Sequence, residues 1–192
     1  FGGNDLQYAE DAAGDDWIIQ NGGSGNDDMT AIGGDGNNHI IQEGGEGNDI
    51  IYAQLDTAQE KNGFVVINSG KGDDSITVAA ARGTNQFTLK VEEGNDDIYV
   101  TGGHGDDSIR IEAGPGDDTV IYDLTSGKDS VSIDGGSEND FLTINKNQQS
   151  IQLVDGTGNV LFKVGENGST ITILNIEHGQ VLGDDGKVAF QW

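Results

Sequence analysis

An acidic marker recurs every eleven residues along most of this chain. Asp5, Asp16, Asp27, Asn38 and Asp49 fall at that interval, and after one longer step so do Asp74, Asn85, Asp96, Asp107, Asp118, Asp129 and Asp140. Asp makes up about one residue in eight, so composition alone does not generate such a row. A short fixed period means that each unit is one small supersecondary element that buries its apolar face only by stacking on its neighbours. The step from Asp49 to Asp74 is two periods plus an insertion of three residues. That insertion lies around Leu55 to Gly63, with a short helical turn over Leu55–Asn62 as one reading.

The residues after each marker alternate. Two positions on stand Gln7, Ile18, Met29, Ile40, Ile51, Ile76, Phe87, Ile98, Ile109, Val120, Val131 and Leu142. Four positions on, most residues are again apolar, from Ala9 to Ile144. Apolar residues two apart describe a short strand that turns two side chains inward. Each repeat is then a turn plus one strand, and two repeats, 22 residues, make one coil of a solenoid. The residue between them on alternate strands runs Tyr8, Thr30, Tyr52, Thr77, Tyr99, Ile121 and Thr143, all expected to face outward.

Composition narrows the classes further. The 192 residues hold 34 Asp and Glu against 9 Lys and Arg, a net charge of −25 that makes nucleic acid an unfavourable partner. Thirty-two Gly with one Pro exclude long helices and favour repeated turns. Leu, Ile, Val and Phe are so few that the margin for a core is thin. There is no Cys, hence neither a disulfide nor a thiolate metal site, and no apolar run long enough to span a membrane. Phe1 falls inside a turn motif, which reads as a fragment of something larger. Nucleophile elbows, phosphate loops and His-Glu-x-x-His pairs are absent, so the chain reads as a non-enzyme. His39, His104 and His178 read as solvated residues rather than ligands.

The turns carry a further pattern. Gly22-Gly23-Ser24-Gly25-Asn26-Asp27, Gly44-Gly45-Glu46-Gly47-Asn48-Asp49 and Gly102-Gly103-His104-Gly105-Asp106-Asp107 each end on a marker. They resemble the Gly-Gly-x-Gly-x-Asp turn of the RTX (repeats-in-toxin) family, over roughly Phe1 to Ile144, although that family usually repeats every nine residues. The resemblance implies an all-β, right-handed parallel β-roll that binds calcium. Each ion would sit between two stacked turns, taking an Asp carboxylate from each and carbonyls from the Gly positions.

With two repeats per coil the markers sort into two edges. One is complete: Asp5, Asp27, Asp49, Asp74, Asp96, Asp118 and Asp140. The other is degraded: Asp16, Asn38, the inserted loop, Asn85, Asp107 and Asp129. The expected calcium ligands on the complete edge are its Asp markers with Gly23, Gly25, Gly45, Gly47, Gly70, Gly72, Gly94, Gly114, Gly116 and Gly136. Seven stacked turns leave six gaps, so about six ions are expected there, with one more between Asp107 and Asp129. On the degraded edge Asp16, Asp107 and Asp129 are the candidate ligands. About six divalent ions would bring the charge to about −13, which favours a chain that folds when calcium binds.

From 146 to 192 the Gly-Asp rhythm gives way to Ile151–Val154, Val160–Val164 and Thr170–Ile176, separated by the turns Asp155-Gly156 and Glu166-Asn167-Gly168. This segment is expected to be a C-terminal β cap beside the roll domain of 1–145. The stretch through Asp184-Asp185-Gly186 is read as covering the last coil with Phe190 and Trp192, or else as leading toward a secretion signal. The resemblance implies a module of a larger secreted bacterial protein, exported unfolded by a type I machinery and folded by extracellular calcium, at the cell surface or free. Two alternatives remain open: a calcium-stiffened adhesion module binding a glycan or cell surface through Tyr8, Tyr52 and Tyr99, and an appendage of an extracellular enzyme.

Overall fold

The computed structural model describes residues 2–55, 62–80, 82–145, 151–154, 160–164, 169–183 and 185–192. The structure is a parallel β-roll, all strand and turn among the described residues. One sheet contains β1 (Leu6–Glu10), β3 (Asp28–Gly33), β5 (Ile50–Leu55), β7 (Ser75–Ala80), β9 (Asp97–Thr101), β11 (Thr119–Asp123) and β13 (Phe141–Asn145). The other contains β2 (Trp17–Ser24), β4 (His39–Glu46), β6 (Phe64–Lys71), β8 (Gln86–Lys90), β10 (Ser108–Pro115) and β12 (Ser130–Ser137). Odd strands stack only on odd and even on even, as a two-repeat coil requires.

Register follows from that coil. Gln7 pairs with Met29, and Ile18 with Ile40, each 22 residues on. Across the insertion Gln42 pairs with Ile67, 25 residues on. A parallel pair needs a crossover rather than a tight hairpin, and here the opposite strand of the same coil supplies it. The inward residues are those the alternation selects: Met29, Ile40, Ile51, Ile76, Phe87, Ile98, Ile109 and Val120 are buried, as are Val78, Leu89, Val100 and Ile111. Stacked like residues form continuous apolar rows between the sheets, and burial of those rows is the main force holding coil on coil. Gln20 and Gln42 interrupt one row; Gln42 Nε2 donates to Gln20 Oε1 at 2.7 Å and Gln20 Nε2 to the Thr30 carbonyl at 3.0 Å, while Gln42 Oε1 is left buried without a donor.

The outward row differs from expectation at one end. Tyr8 is exposed and Thr30, Tyr52, Thr77, Tyr99 and Ile121 are partly so, but Thr143 is buried at 7% exposure. Gln180, registered beside it, donates Nε2–H to its Oγ1 at 3.2 Å.

Parallel stacking continues beyond Asn145. A hairpin of β14 (Ile151–Val154) and β15 (Val160–Val164) interrupts the chain, and then β16 (Ser169–Leu174) pairs in parallel with β12. β17 (His178–Leu182) likewise pairs in parallel with β13. The end of the Gly-Asp rhythm therefore marks the last Gly-rich turn rather than the last coil. The sheets close with antiparallel strands, β14 and β15 beyond β16, and β18 (Val188–Gln191) beyond β17. Antiparallel closure covers edges that would otherwise template another chain. Trp192 lies over Gly179 and packs on the core, whereas Phe190 stays 42% exposed. The helical turn expected within Leu55–Asn62 and the turns at Asp155-Gly156 and Glu166-Asn167-Gly168 lie outside the described residues, as does Asp184.

Candidate metal centre

The markers line the two edges where strands turn from one sheet to the other. On the complete edge the Asp side chains fold inward beneath the turns, and Asp27, Asp49, Asp74, Asp96, Asp118 and Asp140 are buried. Each uses one oxygen in the same way. Oδ1 of Asp27 accepts the main-chain N–H of Asp5 at 2.7 Å, Asp49 that of Asp27 at 2.8 Å, and Asp74 that of Asp49 at 2.8 Å. Asp96, Asp118 and Asp140 continue the ladder.

A second ladder runs the opposite way. Asn4 Oδ1 accepts the N–H of Asn26, Asn26 that of Asn48, and Asn48 that of Asp73. Asp73, Asn95 and Asp117 carry it on to Asn139. Each turn is thus tied to both neighbours by side-chain acceptors. This explains the Asn or Asp before each marker on this edge, a position the sequence reading left unassigned.

Oδ2 of the marker is different. On the complete edge Asp5, Asp27, Asp49, Asp74, Asp96, Asp118 and Asp140 each bury an Oδ2 that accepts no hydrogen bond. A buried carboxylate oxygen without a donor is costly, so the group is driven to take a proton or a cation. Burial accordingly pushes Asp49, Asp118 and Asp140 up to about 6 and Asp96 up to about 7, with neighbouring acids adding to the effect. Asp74 is raised by the same burial.

The Gly positions expected to accompany these markers are where the turn demands them. Gly23, Gly25, Gly45, Gly47, Gly70, Gly72, Gly94, Gly114, Gly116 and Gly136 all have positive φ. At Gly45 a Cβ would also overlap the carbonyl oxygen of Gly23 in the coil beneath. One turn departs from the pattern: Glu138 holds φ 88° where Gly25, Gly47, Gly72, Gly94 and Gly116 stand in earlier coils.

The degraded edge satisfies its markers with the chain's own groups. Asn38 donates Nδ2–H to the Gly34 carbonyl at 2.6 Å, and Asn85 donates to that of Gly83 at 3.2 Å. Gly63 takes the marker place in the coil with the insertion, its N–H bonded to Asn85 Oδ1 at 3.0 Å. Asp129 Oδ2 accepts the hydroxyl of the buried Tyr122 at 3.2 Å, and Ser169 Oγ accepts the Asp129 N–H. Asp16 is partly exposed, and its carboxyl is raised chiefly by a hydrogen bond with Asp11. Asp107 alone among this edge's buried markers keeps an unpartnered Oδ2, with burial pushing it up to about 7. Asp129 Oδ2 therefore has a donor from the chain itself, unlike the Oδ2 of the markers on the complete edge.

The complete edge extends further than the spacing indicated. Glu177 Oε2 accepts the N–H of Asp140 at 3.0 Å, so an acid fills the marker place of the next coil. Its separation of 37 residues, caused by the inserted hairpin, hides it from an eleven-residue count.

The donor set suits a hard cation. It consists of carboxylate and main-chain oxygens, and at Gly22 and Gly135 the marker Oδ2 and the carbonyl of the next coil crowd the same glycine. Among the described residues no three His, Asp or Glu side chains converge as a metal cluster. The outward tyrosines are engaged elsewhere: Tyr8 donates to Glu10, Tyr52 to Gln54 and Tyr99 to Asp123. No helix among the described residues is long and apolar enough to cross a membrane. No protein-family model matches the chain, and no curated protein matches it.

Proposed function

We propose that this chain is a calcium-binding β-roll module of a larger secreted bacterial protein, one that folds as calcium binds outside the cell. The observation carrying this reading is the row of seven buried, unpartnered Oδ2 atoms on the complete edge. On the other edge Asn38, Asn85 and Tyr122 supply donors at the equivalent place and Asp107 keeps a lone such oxygen, so the complete edge is the one that offers a continuous row to an external cation. Asp5, Asp27, Asp49, Asp74, Asp96, Asp118 and Asp140 would hold calcium with carbonyls of the Gly-rich turns, and Glu177 would close a further gap. Divalent charge relieves both the orphaned oxygens and the repulsion of a chain at −25. No catalytic step is assigned to the module.

The test is far-ultraviolet circular dichroism of the chain in chelator and through a calcium titration, with magnesium as control and bound ions counted by calorimetry. A cooperative gain of strand signal with about six or seven calcium bound, and little response to magnesium, is expected. A chain fully folded in chelator and indifferent to calcium refutes the proposal and makes the Asp ladder a purely structural device.

A further inference from the structure

The outer face of the even-numbered sheet changes character along the roll. In its first three strands the outermost row is aromatic: Trp17, His39 and Phe64 stand in register. The rings of Trp17 and His39 stack at 4.3 Å with planes 9° apart, and those of His39 and Phe64 lie 5.7 Å apart. The next outward row in the same strands is Ile19, Ile41 and Val66. Trp17 is 63% and Ile19 68% exposed. From β8 onward these two rows become Gln86 and Thr88, Ser108 and Arg110, then Ser130 and Ser132. An aromatic and aliphatic patch confined to three coils of an otherwise polar face is not required by the repeat.

Beside this patch lies a cleft of about 360 Å³ bordered by Asn37, His39, Asn62, Phe64, Thr84 and Gln86, with Gly63 among its lining residues. Among the described residues no carboxylate or ammonium lines it. Its amides are held in place: Asn37 Oδ1 accepts the N–H of Asn62 at 3.1 Å, and Asn62 Oδ1 that of Thr84 at 3.2 Å. Asn37 is further fixed by donating Nδ2–H to Asp15. At this coil the marker is Gly63, so no Asp side chain stands beside the cleft at that place.

We infer that this ring row and cleft form a binding site for a neutral saccharide. Ring faces pack against the C–H face of a sugar, and amides and hydroxyls alongside exchange hydrogen bonds with its hydroxyl groups. Charge selects among ligands. A chain at −25 repels anions, its carboxylates attract cations to the edges, and the described lining offers neither a carboxylate nor an ammonium to pair with a charged ligand, whereas a neutral polyol needs no such partner. Rings recurring coil by coil, at the spacing of adjacent strands, offer successive contacts to a glycan laid along the roll axis. The inference needs only the folded roll and is independent of which ion the turns hold. It also differs from a site on the Tyr8, Tyr52 and Tyr99 row, which lies on the other sheet.

The chain has two Trp, so Trp192→Phe leaves Trp17 as the only indole reporter. The experiment titrates that variant with maltotetraose, cellotetraose and chitotetraose in calcium buffer, after circular dichroism shows it folded, and repeats the titrations by calorimetry on the unaltered chain. A saturable change in Trp17 emission with at least one sugar is expected. Trp17→Ala and Phe64→Ala should each weaken binding at least tenfold with an unchanged dichroism spectrum, while Tyr99→Ala leaves it unaltered. Absence of saturable binding by all three sugars on folded protein overturns the inference. Affinity unchanged from the parent in Trp17→Ala and Phe64→Ala overturns it too, and so does a Trp17-dependent dimer in sedimentation, which would assign the patch to a second copy.

Discussion

Asp96→Asn should move stability in opposite directions with and without calcium. Asp96 Oδ1 accepts the Asp74 N–H at 2.7 Å, and an Asn Oδ1 preserves that bond. The buried Oδ2 becomes an NH2 group, and Asn38 and Asn85 show where such a group goes, to a turn carbonyl. Burial holds the Asp96 carboxyl at about 7 against an ordinary value of 3.8, and at about 1.4 kcal/mol per pH unit that costs the folded chain at most about 4 kcal/mol at neutral pH. Halved for screening by solvent at the turn, the relief is about 2 kcal/mol. In chelator at pH 7 Asp96→Asn should therefore be about 2 kcal/mol more stable than the parent, and the gain should shrink to about 1 kcal/mol near pH 5, where Asp96 is protonated when folded but still ionised when unfolded, and vanish below about pH 4. In millimolar calcium the same change removes a ligand shared by two gaps, and stability should fall. The assay is urea unfolding followed by circular dichroism, with trimethylamine N-oxide carrying the chelated chains through their transition. Loss of more than about 1 kcal/mol in chelator, or an equal shift in both buffers, refutes the account of Oδ2.

The raised carboxyls also give the pH dependence a sign. Asp49, Asp96, Asp118 and Asp140 bind protons more tightly folded than unfolded, so in chelator their contribution to stability is full below about pH 4 and is lost as pH rises through 6 to 7. Calcium needs the ionised form, so calorimetric affinity should weaken as pH drops through that same window. Glu138→Gly should raise urea stability by roughly 0.5–1 kcal/mol, because a side chain at φ 88° is strained and the relief exceeds the added freedom of the unfolded chain. Tyr122→Phe should cost about 1–3 kcal/mol in the same assay by stripping the one donor from Asp129 Oδ2.

Much of the fold was legible in one dimension. The eleven-residue spacing with apolar residues two and four places beyond each marker set the strands, the inward faces and the two-repeat coil, because side chains alternate across a strand wherever it sits. The glycines of the turns were legible for a related reason: a turn at positive φ accepts little else. The two edges were separable by counting, since Asn for Asp is visible in the residues themselves.

The remainder depended on residues that meet only after the chain has wound once round. Which carboxylate oxygen receives an N–H is settled between residues 22 apart, and only stacking shows that Oδ1 is taken while Oδ2 is not. Tyr122 reads in the sequence as one more inward residue, yet its hydroxyl reaches Asp129 and gives its Oδ2 a donor that spacing alone did not indicate. Ser169 and Glu177 fall off the period because a hairpin lengthens the chain between coils without changing the coils' spacing. The ring row of Trp17, His39 and Phe64 is likewise assembled by register: each follows a marker place, but only stacking of the coils brings the three rings together. A sequence records what repeats, and it leaves to the tertiary structure what each repeat's neighbour satisfies, because hydrogen bonds and burial depend on distance in space rather than along the chain.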